Sequence, residues 1–431
     1  MRVFADFHIH SKYARATSPN MDLENLSKFG KLKGLNLIGT GDFTHPKWLK
    51  ELKEKLKPVE NTGLYSFNGM NFMLTTEIST IYTQDNKTRK IHHVIHVPSL
   101  EIVDQINDEL TKIGAKLDID GRLLLNERTS VELVEILVKI YSDTLIVPAH
   151  VWTPWFSLFG SKSGFDRIED CYKDQTKHIY ALETGLSSDP AMNWRLSSLD
   201  RFALMSNSDC HSPWPWRLGR ECNVFELEKL TYLEILDAIK KKDKKRFLFT
   251  VEVSPFYGKY HWTGHRNCKM SLSSKQSLKV NNVCPVCHRK LTVGVEERVE
   301  ELADREEGFI PKDAIPFKTL LPLYEIISFV TGTNQLYSKP VIKEQDKLID
   351  KFGNELNILL NVPKEELLKI TNERIADAII KVREGKVKYI AGYDGVYGRP
   401  VFDEEEFKKH EEEQKNVKIH TQKRLIDFKG L

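Results

Sequence analysis

Two short stretches constrain what this chain can fold into. Asp6-Phe7-His8-Ile9-His10 closes an apolar run at the start of the sequence, and Asn207-Ser208-Asp209-Cys210-His211 follows another far downstream. On an extended strand, residues i and i+2 point to the same side. His8 and His10 can therefore hold one ion from one strand end, and Asp209 and His211 can do so from another. Either pair alone could be two unrelated half-buried residues. Further His and Glu at strand ends between them favour a divalent-metal centre, which requires a fold that brings remote strand ends to one mouth.

The rest of the first 250 residues supplies such a fold. Strands are predicted at 3–7, 35–40, 71–76, 93–97, 145–149, 179–183 and 203–206, alternating with helices at 22–33, 46–56, 130–141 and 231–240. Repeated βα units predict a parallel barrel or a distorted form of one. Chemistry in such barrels sits at the C-terminal strand ends, where His8, His10, Glu77, His150, Asp209 and His211 fall.

A chain of 431 residues exceeds one core of the usual size. The expected division is a barrel over 1–250, a Cys- and His-rich module over 251–295, a helical domain over 296–402, and a charged tether over 403–431. Helices are predicted at 295–307, 320–331, 343–359 and 374–384. The composition, 40% apolar and 29% charged, is that of a globular protein. No run approaches the ~20 apolar residues of a membrane span, and strand-like residues begin at once. The expected location is cytoplasmic and nucleoid-associated, with no membrane partner and a monomeric state. The net charge of +3 selects no partner. The basic run 240–246 could track phosphates but reads more simply as a solvated helix end.

Several residues join the two anchoring pairs. Glu77 and His150 each end an apolar run, and Asp42 and His45 follow residues 37–40. His92 and His96 share a parity opposite to that of His93, so either His93 or the other two face the site. His93 is taken as the ligand. The expected catalytic set is Glu77, Asp209 and His211, with His8, His10, Asp42, His45, His93 and His150 completing the metal cluster. Imidazole with carboxylate suits Zn, Mn or Fe, and a bridging Glu can hold two ions. Such a centre lowers the pKa of a bound water and neutralises charge building on a phosphoryl oxygen. Glu183 and Asp189 could support the ligands or contact substrate.

A second metal site is legible downstream. His265, Cys268, Cys284 and Cys287 form two ligand pairs of x2 spacing, as in a tetrahedral structural zinc. His261 and His288 compete for the fourth position. A zinc here would stabilise a segment too short and polar to bury its own core. Trp152, Trp155, Phe156, Trp214 and Trp216 lie beside the ligand histidines, and could stack on bases or simply pack the core. The glycine-rich residues 391–398 read as a loop lining a binding surface. In the tail, Gln422, Leu425 and Phe428 are spaced to place Leu425 and Phe428 on one face of a helical turn, an anchor for a hydrophobic groove.

His8-Ile9-His10, Thr40-Gly41-Asp42, Glu77, His150 and Ser208-Asp209-Cys210-His211 resemble the successive motifs of the PHP (polymerase and histidinol phosphatase) phosphoesterase superfamily. That resemblance implies an α/β fold, a distorted (β/α)7 barrel with up to three metal ions, and hydrolysis of phosphoesters. The second motif departs from the family's Thr-Asp-His: Gly41-Asp42-Phe43 stands here with His45 two residues on, leaving Asp42 and His45 as alternatives. With the zinc pairs and Arg298-Val299-Glu300-Glu301-Leu302-Ala303-Asp304-Arg305, the whole chain resembles the endonuclease Q family. The likeness implies a DNA-repair endonuclease that uses metal-activated hydroxide to cut 5′ of deaminated bases (uracil, hypoxanthine, xanthine) and abasic sites. Its cofactors would be structural Zn2+, with zinc also in the catalytic cluster, and Mg2+ or Mn2+ for activity. The tail resembles the peptide that docks on the sliding clamp PCNA. The rivals are a phosphatase for small phosphate monoesters, which leaves the last 180 residues without work, and a non-enzymatic clamp-associated adaptor.

Overall fold

The computed structural model describes residues 1–333 and 335–412. Its sheet is built from β1 (Arg2–Asp6), β2 (Leu37–Gly39), a hairpin of β3 (Lys57–Val59) and β4 (Leu64–Phe67), β5 (Met70–Gln84), β6 (Lys87–Val97), β7 (Leu123–Asn126) and β8 (Leu145–Pro148). Next come the pair β9 (Ala181–Glu183) and β10 (Ala203–Met205), then β11 (Cys222–Glu226) and β12 (Phe247–Glu252). β1 pairs in parallel with β2, and β2 with β5. β9 pairs in parallel with β10. Single parallel bridges, Ile146 to Ile179 and Ile9 to Cys210, link this pair to β8 on one side and to the chain after β1 on the other. The fold is α/β with a mixed sheet.

Among the alternatives of a parallel barrel and a distorted form, the sheet departs from parallel at β6, which runs antiparallel to both β5 and β8. The reason is local. Gln84 pairs with Lys87 across Asp85 and Asn86, which have φ of 54° and 57°. A two-residue turn with both central residues left-handed fits the twist of antiparallel strands, and Asp and Asn tolerate that conformation. β5 consequently extends eight residues beyond the predicted 71–76, to Gln84.

The helices follow their sequence signals closely. Leu23–Lys33 starts at Asp22, whose carboxylate accepts from the Asn25 amide, and ends at Gly34 with φ 101°. Ser130–Ile140 begins in a capping box of Thr129 and Glu132. The helix predicted at 343–359 is two helices, Lys339–Phe352 and Glu355–Leu360, broken where Gly353 takes φ 91° and Asn354 caps the second. The one predicted at 295–307 ends at Leu302. Asp304 and Arg305 instead turn back to bond Ser197 and Asp200. Residues 391–398 form the loop of a hairpin between Lys388–Ile390 and Arg399–Val401. Among the described residues, no helix is long and apolar enough to cross a membrane.

One cluster of buried side chains runs from Ile9 and Leu26 near the metal-ligand strands to Leu356 and Ile379 in the C-terminal helices. Across this junction Lys33 donates to Glu355 at 2.6 Å, both side chains being at most 1% exposed. Glu355 also accepts from the Leu323 amide. A buried ion pair costs desolvation on both sides, but removing one partner strands the other charge. Glu355→Leu is therefore expected to destabilise the protein by about 3–5 kcal/mol. Lys33→Met combined with it should recover most of that loss, as read by equilibrium chemical denaturation.

Candidate metal centre

The ligand strands are held at unusually close range. A Cβ at Gly39 would lie 2.3 Å from the Phe7 carbonyl oxygen, and one at Gly41 2.4 Å from that of Ile9, with Gly41 at φ 61°. Only glycine lets the chain after β2 run this close to His8 and His10. On their other side the His10 amide donates to the Cys210 carbonyl at 3.2 Å. The two anchoring stretches thus lie side by side. Asp42, His150 and Asp209 all have positive φ, at 46°, 31° and 45°. Such backbone strain costs on the order of 1–3 kcal/mol per residue and persists where the surroundings over-determine it.

Two groups of ligand atoms form, each with its atoms within 4.8 Å of one another: His8, His10 and Asp209, and Glu77, His92 and His150. His10 Nε2 lies 3.1 Å from Asp209 Oδ1 and 3.4 Å from Glu77 Oε2. On the other flank Glu77 Oε1 lies 2.5 Å from His92 Nδ1, 3.4 Å from His150 Nε2 and 3.6 Å from His8 Nε2. Glu77 stands between the groups, with Oε2 toward His10 and Oε1 toward His92 and His150 and also toward His8. Both its oxygens and His8 Nε2 are buried with no hydrogen-bond partner. Buried polar atoms are ordinarily paired. Unpaired donors of lone pairs converging in this way suit divalent cations.

Carboxylates behind the imidazoles fix their tautomers. Asp42 Oδ1 is 3.1 Å from His10 Nδ1, while Oδ2 accepts from the Ser11 amide and hydroxyl. Glu183 lies 3.0 Å from His8 Nδ1 and accepts from the His150 amide and Asn207. With Nδ1–H donated backwards, each Nε2 presents its lone pair forward, the carboxylate–histidine arrangement of metal sites. Burial opposes charge on His10, yet Asp42, Asp209 and Glu77 outweigh it and push its pKa up to about 9. Burial likewise favours a protonated Glu77, but His92, His150 and His8 hold its carboxyl well below the usual range.

The structure sorts the expected residues. His8, His10, Glu77, His150 and Asp209 meet. His93 does not: it pairs with Ile78 on the opposite face, sets Nδ1 3.2 Å from the Ile78 carbonyl and packs edge-on against Tyr172. His92 takes its place, because the β5–β6 register puts it on the face of Glu77 and Ser79. Asp42 stands behind His10 and His45 stands apart, stacked on Tyr13, so neither enters the two groups. His211 flanks them, its ring 4.6 Å from that of His10. Arg122, 3.6 Å from Glu77 Oε2, had no sequence signal. Asp189 caps a short helix instead.

Of the aromatic residues, Trp152 is buried and donates to Asn193, while Trp155 is 39% exposed against Tyr260. Trp214 and Trp216 stack on each other, and Trp216 packs on Tyr324. The basic run is spent on ion pairs such as Lys240–Asp143 and Arg246–Asp237. His265, Cys268, Cys284 and Cys287 bring their ligand atoms within 4.8 Å, at the end of a hairpin of Thr263–His265 and Met270–Leu272. His261 packs on Phe256 instead. Gln422, Leu425 and Phe428 lie outside the described residues.

The exchange of His93 for His92 is testable. His92→Ala should lose about one divalent ion per chain, measured by elemental analysis. His93→Ala should keep the metal and lose about 1–3 kcal/mol of stability from the gap beside Tyr172.

Comparison with known proteins extends these observations. Residues 322–386 match the family described as the MJ0043 C-terminal domain. The chain is 35% identical over 264 residues to the uncharacterized protein MJ0043 of Methanocaldococcus jannaschii, spanning 61% of this chain but only 32% of that protein's length. It is 28% identical to the uncharacterized protein YqxK of Bacillus subtilis over 92% of this chain and 99% of that one. Among solved structures it is similar to the lesion-specific endonuclease PfuEndoQ of Pyrococcus furiosus, with TM-score 0.83 and 35% identity over 94% of this chain and 96% of that one. It is equally similar to an endonuclease Q complexed with a 27-mer duplex substrate bearing an abasic lesion at the active site, with TM-score 0.84 and 35% identity over 94% and 98% of the two chains. The chain belongs to the endonuclease Q family.

Proposed function

We propose that the protein is a DNA-repair endonuclease that hydrolyses the phosphodiester on the 5′ side of deaminated bases (uracil, hypoxanthine, xanthine) and abasic sites. The observation that carries this is Glu77, a buried carboxylate with neither oxygen in a hydrogen bond, set between two imidazole groups beneath a cavity that His92, His150 and Asp209 line. Divalent ions held there, zinc with Mg2+ or Mn2+, would lower the pKa of water and neutralise charge on the phosphoryl oxygens. His8, His10 and Asp209 would hold one ion, His92 and His150 another, and Glu77 would bridge. His211 and Arg122 stand beside them, with Arg122 placed to offset charge on a phosphoryl oxygen. The circuit of β1, β2, β5, β6, β8, β9 and β10 supports reading the sheet as a distorted seven-stranded barrel with this centre at its mouth.

The cavity, about 750 Å3, is lined by Trp155, Phe156, Tyr260 and Tyr397 as well as by ligands. Those dimensions and rings suit an extruded nucleotide, and deaminated or missing bases are cheaper to extrude than paired ones. A solved family member bound to a duplex with an abasic lesion at its active site supports the same substrate class. His265, Cys268, Cys284 and Cys287 would hold a structural zinc, stabilising a module whose own core is small. Gln422, Leu425 and Phe428 would dock a monomeric enzyme on a sliding clamp.

The test is incubation with Mn2+ or Mg2+ and labelled duplexes carrying one uracil, hypoxanthine or abasic site. A nick immediately 5′ of the lesion is expected, with a 3′-hydroxyl and a 5′-phosphate. His8→Ala and Asp209→Ala should each slow it by ~10³-fold or more, the weight of several kcal/mol of lost charge stabilisation. Turnover of p-nitrophenyl phosphate without nicking would make the protein a phosphatase instead. Cys284→Ala should release one zinc and lower the melting temperature.

A further inference from the structure

Beside the ligand groups, the same cavity carries a cluster of cations that metal binding does not use. Arg220, only 6% exposed, donates from Nε and Nη2 to the Ser208 carbonyl, and its Nη1 has no hydrogen-bond partner. Arg217 donates from Nη1 to the Trp216 carbonyl at 3.0 Å and to Glu325 at 3.1 Å. Lys259 places its ammonium 4.7 Å from the centre of the Tyr397 ring. All four side chains line the cavity that His150, Asp209 and His211 also line. They come from three separate stretches of chain, and Tyr397 belongs to the glycine-rich loop that the sequence marks as a binding surface.

Three carboxylates, Glu221, Glu325 and Asp209, stand near these cations. Burial pushes the pKa of Glu325 up, against the pull of Arg217 and Arg220. Glu221 is pushed up further, by burial and by Glu252 beside it. Asp209 shares the cavity but is engaged by His10 and His8. The three cations act together on Tyr397: burial favours its neutral form, yet Arg220, Lys259 and Arg217 hold the hydroxyl below its ordinary range. A nearly buried guanidinium N–H without an acceptor is costly unless an acceptor joins it from the cavity.

We infer that Arg217, Arg220, Lys259 and Tyr397 form a binding site for a second, non-scissile phosphate of the strand being cut. The inference rests on the reading of the metal centre as a DNA-cleaving one. Arg220 ties the two functions together, since the carbonyl it holds belongs to Ser208, the residue before the ligand Asp209. Charging this site would fix the register of the strand, so that the neighbouring phosphate falls on the metal ligands.

The experiment measures affinity for an abasic duplex by fluorescence anisotropy in an Asp209→Asn background. Phosphates near the lesion are replaced singly by uncharged methylphosphonates. One non-scissile position within about two nucleotides of the lesion should cost about tenfold, the value of a charge-assisted contact. Arg217→Gln and Lys259→Ala should each weaken binding of the natural duplex by about fivefold to tenfold and show no further loss at that one position. Tyr397→Phe tests the hydroxyl separately. Losses that multiply at every position, or variants that bind like their parent, overturn the phosphate site. Nicking by the otherwise unaltered protein is scored in parallel. Its absence with the position-specific pattern intact would remove the proposed activity and keep the phosphate site. Nicking with unaltered affinity in both variants would do the reverse.

Discussion

Everything around the cavity is arranged to keep Glu77 ionised where it is fully buried. An isolated carboxylate in that position would simply take up a proton, because burial disfavours the charged form by several kcal/mol. His92, His150 and His8 reverse the outcome, His10 stands 3.4 Å from the second carboxylate oxygen, and Arg122 adds charge 3.6 Å away. Those imidazoles are in turn anchored by carboxylates one layer back, Asp42 on His10 and Glu183 on His8. The alternation of negative and positive groups extends from the protein interior to the cavity surface. It makes sense as a scaffold whose innermost lone pairs are completed by cations.

Holding that arrangement requires backbone that few sequences tolerate. Gly39 and Gly41 allow strands to approach closer than any side chain permits, and three acidic or imidazole residues adopt left-handed conformations at strand ends. The stabilisation that offsets this strain is distributed. It comes from the continuous core running into the C-terminal helices, where the buried Lys33–Glu355 pair fixes how the two parts meet. The helical region is therefore part of what keeps the clustered histidines and carboxylates in place.

Much of the centre was legible because strand periodicity carries it. His8 with His10, His150 and Asp209 follow strand ends that apolar runs announce, and Glu77 closes an apolar run although its strand continues to Gln84. His92 was not, because parity alone cannot say which face of a strand looks inward. That depends on pairing Glu77 with Val94 and Ser79 with His92, a long-range fact. The antiparallel course of β6 did have a local signal, Asp85-Asn86 between two extended runs, but the run before it is longer than the predicted strand. Asp42 was visible as one of two alternatives, and only the Ser11 and His10 contacts assign it a place behind the ligand. Arg122, Arg220 and Lys259 carry no periodic signature at all. Their roles arise from loops that converge only in the folded chain.

The C-terminal region contributes to the site in a way its helical sequence conceals. Glu325 begins the helix Leu323–Thr331, within the stretch matched by the MJ0043 C-terminal family, and is almost wholly buried against Arg217. A guanidinium on a cavity wall would otherwise sample many rotamers, and fixing it on binding would cost side-chain entropy. With one N–H already bonded to Glu325 and the Trp216 carbonyl, that ordering is complete before a strand arrives. Burial lifts the Glu325 pKa against the pull of Arg217 and Arg220, and the carboxyl orients Arg217. On this view, the helices appended to the α/β fold set the geometry of substrate contact at the cavity as well as the stability of the chain.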